Sequence, residues 1–176
     1  LPLEQTQALW QETVEQQIFV LCKTRMAESI TRRTLVGYQD WTVNTTYIPH
    51  LLERMEKDPQ RLAKKLQRTD TWGKEGQPMK FDAIVGNPPY QLMGGSGGTN
   101  DAPIYQYFAS LAEEVEPHYI SLIIPSRWFS AGRKNLLGDF RTQMLANRKI
   151  RKMYVYPSSQ DIFRMGGLSG KRLNFA

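Results

Sequence analysis

Four short apolar runs, each set off by a stretch that favours helix, constrain this chain more than any other feature. They are Gln17 to Cys22 (QIFVLC), Phe81 to Gly86 (FDAIVG), Tyr119 to Ile124 (YISLII) and residues 150–156 (IRKMYVY). Runs of this length, rich in β-branched and aromatic residues, read as strands, the first and third of them buried. Helix-forming sequence surrounds them: residues 3–16, RMAESITRRTL with Thr24 as its N-cap, and YIPHLLERMEK and PQRLAKKLQR over residues 47–68. In that pair Pro59 suits a first turn, and Ile48, Leu51, Leu52 and Met55 form an apolar face that packs on a core. Pro103 opens a further helix behind the capping oxygens of Thr99, Asn100 and Asp101, with Ile104, Phe108, Leu111 and Val115 at helical spacing. A last helix is expected over about 133–147. Residues 37–46, 69–79 and the GGSGG segment at 94–98 read as loops, the last as a linker or as a lid. Strands alternating with helices predict an α/β domain, a largely parallel sheet flanked by helices.

Composition narrows the class. The 176 residues suit one domain with a real core, and 40% apolar with 23% charged residues is the make-up of a globular protein. No apolar run approaches the roughly 20 residues that span a bilayer, and the first residues lack the pattern of a secretory signal, so no membrane partner is expected. One cysteine, Cys22, rules out an internal disulfide and fits a reducing cytoplasm. His50 and His118 are the only histidines, so no metal centre is expected. The start at Leu1 instead of Met suggests a piece of a longer gene product.

The net charge of +6 is unevenly spread. From Ser126 onward there are eleven Lys and Arg against Asp139 and Asp161, so the preceding residues sum to −3. That asymmetry reads either as a surface facing a polyanion or as a solvated helix face with a basic tail.

The run FDAIVG stops at Gly86 and is followed by Asn87-Pro88-Pro89-Tyr90. In parallel sheets the ligand site lies beyond the carboxyl ends of the strands, which is where this tetrapeptide falls. Asn87 offers a side-chain carbonyl and Pro88 a main-chain carbonyl. Two consecutive prolines fix φ and bias the residue ahead of them, so both acceptors are held before a substrate arrives. Such a pair suits the two N–H bonds of an amine conjugated to a π system. Holding both hydrogens favours a tetrahedral nitrogen whose lone pair points at an incoming electrophile. Tyr90 adds an aromatic face for stacking.

FDAIVGNPPYQ, then PIYQYF, then LIIPSRWF resembles, in order, the motifs of N6-adenine-specific DNA methyltransferases of the restriction–modification methylase type. The resemblance implies a Rossmann-like, S-adenosylmethionine-dependent methyltransferase fold. It implies methyl transfer from S-adenosyl-L-methionine to the N6 amine of an adenine flipped out of double-stranded DNA. Carried over, it makes Asn87, Pro88, Pro89 and Tyr90 catalytic, with Tyr90 and Phe163 stacking on the flipped base. It places Phe108, Tyr105 and Asn87 at the cofactor. Arg127, Arg133, Lys134, Arg151 and Lys152 are the expected contacts to the DNA backbone, and a cognate restriction endonuclease or further parts of the same polypeptide are the expected partners.

The resemblance covers about residues 80–163 and extends more weakly to 17–35. The family's Asp-Pro-x-x-Gly-x-Gly cofactor loop is not found ahead of QIFVLC, and Cys22 and Lys23 stand where an acidic residue for the cofactor ribose is expected. The expectation is therefore a partial catalytic domain over 1–164, incomplete at both ends, with a basic, glycine-containing tail at 165–176, inactive when isolated. Other readings stand beside these. The same motif serves methyltransferases acting on a glutamine amide or an RNA guanine amine, and the chain could equally be a weakly DNA-binding remnant. Phe108 also reads as a helix-core residue, Phe163 as a cap on the sheet, and Trp128 as packing.

Overall fold

The computed structural model describes residues 2–92, 102–130 and 137–156. It divides into two compact units, residues 1–80 and 81–176.

In the first unit, α1 (Leu3–Gln16) leads into β1 (Phe19–Cys22). Thr24 then caps α2 (Arg25–Val36), its hydroxyl accepting the Ala27 N–H at 3.0 Å, as its position ahead of the helix-forming run predicts. α2 is the crossover to β2 (Asn44–Tyr47), which lies parallel to β1 in the register Phe19↔Asn44 to Cys22↔Tyr47. This differs from the loop expected over residues 37–46 and the helix expected from Tyr47. The strand forms although Asn-Thr-Thr is polar, because β1 supplies a ladder and Thr is β-branched. α3 (Leu51–Lys57) and α4 (Pro59–Leu66) follow; Asp58 caps α4, and Pro59 occupies its first turn as expected. Ile48, Leu51 and Met55 are buried with Leu62, Ala63 and Leu66, so the predicted apolar face does pack inward. The segment read as a polar loop contains a 3-10 turn, Thr69–Trp72, that buries Trp72. Its ring meets Phe19 edge-on at 5.3 Å, and its indole N–H donates to Leu66 O at 2.7 Å.

Asn44 is wholly buried and ties this unit together. Its Nδ2 donates to Val14 O, Glu15 O and Ile18 O at 3.2, 3.1 and 2.9 Å. These are carbonyls at the end of α1 and just past it, where a helix leaves its acceptors unfilled.

In the second unit, β3 (Ala83–Gly86) and β4 (Tyr119–Leu122) are parallel in the register Ala83↔Tyr119 to Gly86↔Leu122, with α5 (Tyr105–Glu114) as the crossover. A 3-10 turn (Ser126–Trp128) and α6 (Gly138–Ala146) complete it. Tyr105, Ala109, Ile124, Trp128, Leu137 and Phe140 form the core, with Leu122 and Met144 against it. Trp128 is a packing residue, edge-on to Phe140 at 5.8 Å.

Three expectations need correction here. α5 begins at Tyr105 and not at Pro103, because Pro103 is used in an antiparallel bridge to Gln91. β4 is not buried: Tyr119 is 75% and Ile120 42% exposed, Ser121 and the β3 partners Ala83 and Val85 are exposed too, and only Leu122 at the end of the strand packs against the core. Residues 150–156 form no strand; apart from an isolated bridge at Tyr156 they have no ladder, and all seven are exposed. Apolar composition gives strand propensity, but a strand also needs a hydrogen-bonded neighbour.

Parallel strands joined by crossover helices make this an α/β protein. No described helix is long and apolar enough to cross a membrane.

Candidate functional site

β3 delivers the tetrapeptide Asn87 to Tyr90 at its carboxyl end. The Gly86 carbonyl accepts Ile123 N–H at 2.9 Å, so the ladder to the β4 side persists up to the residue before Asn87. The prolines then leave the sheet without donors to offer it. Pro88 is buried and Pro89 and Tyr90 half-buried, whereas Asn87 is exposed. Rigid, covered prolines thus hold an accessible carboxamide.

Tyr90 Oη donates to Asn87 Oδ1 at 2.6 Å. Burial pushes the Tyr90 phenol above its ordinary value. The phenol is therefore a neutral donor at physiological pH. It leaves one lone pair of the Asn87 oxygen free for another N–H.

After Tyr90 the chain runs beside the entry to α5. Ile104 N–H donates to Tyr90 O and Leu92 N–H to Ala102 O, each at 3.1 Å, around the Gln91↔Pro103 bridge. This clamp brings the tetrapeptide to the start of the helix that carries Tyr105, Gln106 and Phe108. Tyr105 is buried, edge-on to Phe140 at 5.9 Å. Burial pushes its phenol up to about 12, against the opposing pull of the Arg127 charge and the Trp128 main chain. Among the described residues the hydroxyl has no hydrogen-bond partner. Phe108, one turn on, is half-buried.

Gln106 is a residue the sequence reading missed. It is buried; its Nε2 donates to Pro103 O at 2.9 Å, and its Oε1 has no partner among the described residues. A buried acceptor left unfilled is costly, and it is also a ready position for a ligand N–H. No sequence signal marks it, since Gln is an ordinary residue in a helix and only the fold reveals that this one is enclosed.

Of the expected DNA contacts, Arg127 is exposed on the 3-10 turn and Arg151 and Lys152 are exposed in the segment after α6. Phe163, Arg133, Lys134 and the GGSGG segment lie outside the described residues.

The sequence model of the Eco57I restriction-modification methylase family matches residues 16–163. An "Uncharacterized adenine-specific methylase" of Mycoplasma pneumoniae (strain ATCC 29342 / M129 / Subtype 1) is 37% identical over 94 residues. The aligned stretch covers 52% of this chain and 22% of that protein, so the chain spans about a fifth of that relative's length. No solved structure matches the chain. With most of its length matched by the family model, and with Asn87 to Tyr90 at the end of a parallel strand, this chain belongs to the Eco57I restriction-modification methylase family.

Proposed function

We propose that the chain carries the catalytic motif for methyl transfer to the N6 amine of an adenine flipped out of double-stranded DNA. The observation that carries this reading is the exposed Asn87 carboxamide, hydrogen-bonded to Tyr90 and backed by buried Pro88 at the carboxyl end of β3. Asn87 Oδ1 and the Pro88 carbonyl accept the two N–H bonds of the amine. This draws the nitrogen toward tetrahedral geometry and directs its lone pair outward. Pro89 keeps both acceptors in place. Tyr90 stacks on the base, which must leave the helix to be reached, and Phe163 covers it from the other side. The methylated amine releases its proton to solvent, so no strong base is needed.

The residues beside the tetrapeptide fit the adenine of S-adenosyl-L-methionine: Phe108 presents an aromatic face, and Gln106 Oε1 is an enclosed acceptor without a donor among the described residues. When bound, the cofactor supplies a methyl group on a positively charged sulfur. Phe108 and Gln106 hold its adenine, Tyr105 supports them from the core, and Asn87 bounds the space between cofactor and base. Nothing at the end of β1 supplies a carboxylate for the ribose, since Cys22 and Lys23 stand there.

The exposed cations Arg127, Arg151 and Lys152, with Arg133 and Lys134, contact the DNA backbone. Residues 1–164 act as one catalytic domain with 165–176 as its basic tail. The setting is the cytoplasm, beside a cognate restriction endonuclease or further parts of the same polypeptide. The test is Asn87→Ala in the full-length protein. Methyl transfer should vanish while cofactor affinity, read by calorimetry, changes less than threefold (roughly 0.6 kcal/mol). A loss of cofactor affinity matching the loss of turnover would move Asn87 to the cofactor and overturn its assignment.

A further inference from the structure

α3 carries Arg54 and Lys57, and α4 carries Arg61, Lys64 and Lys65, with Arg68 two residues beyond its end. Within each helix the steps of three and four residues keep the cations on neighbouring turns. They line an open groove of about 1000 Å³ that reaches Tyr47, the last residue of β2. Three carboxylates share the groove, and each is already engaged. Glu53 accepts Lys57 Nζ at 2.7 Å, Asp70 is paired with Arg68, and Asp58 Oδ1 caps α4 by accepting Arg61 N–H at 2.9 Å. Arg54 Nε donates to Pro49 O at 3.0 Å. Among the described residues, no carboxylate forms an ion pair with the side chains of Arg61, Lys64 or Lys65, and all three are exposed.

A small anion held by solvated side chains alone would be bound weakly. A polymer carrying one negative charge per roughly 1.7 Å engages several such cations at once and releases its condensed counterions, so it gains where a single ion does not. We propose that this groove binds the phosphate backbone of duplex DNA, as a contact additional to the cations of the carboxyl-terminal third. The identity of the polymer rests on the DNA reading above; the unpaired charge of the groove does not.

The test compares three forms of the 176-residue chain by fluorescence anisotropy with a labelled duplex at several salt concentrations. They are the native sequence, Arg61→Gln/Lys64→Gln/Lys65→Gln, and Lys23→Gln/Arg33→Gln/Lys80→Gln, which removes the same charge outside the groove. Each phosphate contact contributes about 0.9 to the slope of log affinity on log salt, so the groove variant should lose roughly 2.7 in slope. Its affinity should be sequence-independent, and the control variant should keep the native slope. A native slope in the groove variant, or equal losses in both variants, would overturn the proposal. A duplex RNA of the same sequence that competes better than the DNA would overturn the choice of polymer. The catalytic reading fails separately. Groove-dependent DNA binding without adenine methylation by the full-length protein would sink that reading alone, and methylation abolished by Asn87→Ala with an unaltered groove slope would sink the groove alone.

Discussion

Tyr90 Oη donates to Asn87 Oδ1 at 2.6 Å, joining the aromatic face of the tetrapeptide to its side-chain acceptor. The bond orients the carboxamide, and the oxygen retains a lone pair for an incoming N–H. Tyr90→Phe keeps the stacking face and loses only the tether. A neutral hydrogen bond is worth about 1 kcal/mol, so the expected slowing is roughly fivefold. Tyr90→Ala loses the face as well and should weaken adenine engagement by about 1–3 kcal/mol. A fluorescent adenine analogue at the target position reads both: it should brighten with the native protein and with Tyr90→Phe, and far less with Tyr90→Ala. Equal brightening in all three would remove Tyr90 from the stacking role.

Tyr105 predicts a pH dependence of stability. Its folded pKa of about 12 stands above the unfolded value near 10, so the folded chain holds its proton longer. The associated stability is complete below about pH 10 and is lost as the pH rises through 12, an alkaline loss of roughly 2–3 kcal/mol. Tyr105→Phe should abolish that loss. At neutral pH it removes a buried hydroxyl without a partner among the described residues and should leave stability unchanged or raise it by up to about 1 kcal/mol. Urea denaturation at pH 7 and pH 11, where about half of that loss (roughly 1.4 kcal/mol) is reached, checks both; an identical alkaline loss in the variant would assign it to another group.

Asn44→Ala should destabilise the first unit by roughly 2–3 kcal/mol, because Val14 O and Ile18 O lose the side-chain donor that satisfies them and Glu15 O keeps only Lys74 Nζ. Thr24→Ala removes only a cap and should cost about 1 kcal/mol. Denaturation midpoints for the two variants should fall in that order. The reverse order would mean that water replaces the Asn44 amide.

These two residues mark what was legible in the sequence. Thr24 could be read because a cap acts on the residues that follow it within one turn. Asn44 could not, because its partners lie up to 30 positions away and only the parallel pairing of β1 and β2 brings them together. The same holds for β2, whose polar Asn-Thr-Thr carries no alternation, and in the opposite sense for residues 150–156, whose apolar pattern found no ladder. The tetrapeptide was legible because its chemistry is local: four consecutive residues carry two acceptors, two rigid links and a ring. Gln106 was not, since enclosure is a property of the fold. The groove cations were hidden by averaging, for a balance of −3 over residues 1–125 conceals Arg61, Lys64 and Lys65 on one short helix.

Arg151 and Lys152 are exposed and should contribute to DNA binding by charge alone. Arg151→Gln/Lys152→Gln should reduce the salt slope by about 2 and weaken binding to unrelated sequences equally. Discrimination between sequences that disappears in this variant would show instead that these side chains read bases.

In the proposed reaction Asn87 and Pro88 present an adenine amine to a methyl donor. The most direct measurement is nucleoside analysis of duplex DNA after incubation of the full-length protein with methyl-labelled S-adenosyl-L-methionine, beside its Asn87→Ala variant. Label is expected in N6-methyladenine with the native protein and none with the variant. Label found in a protein glutamine or an RNA guanine, or N6-methyladenine formed equally by the variant, would contradict it.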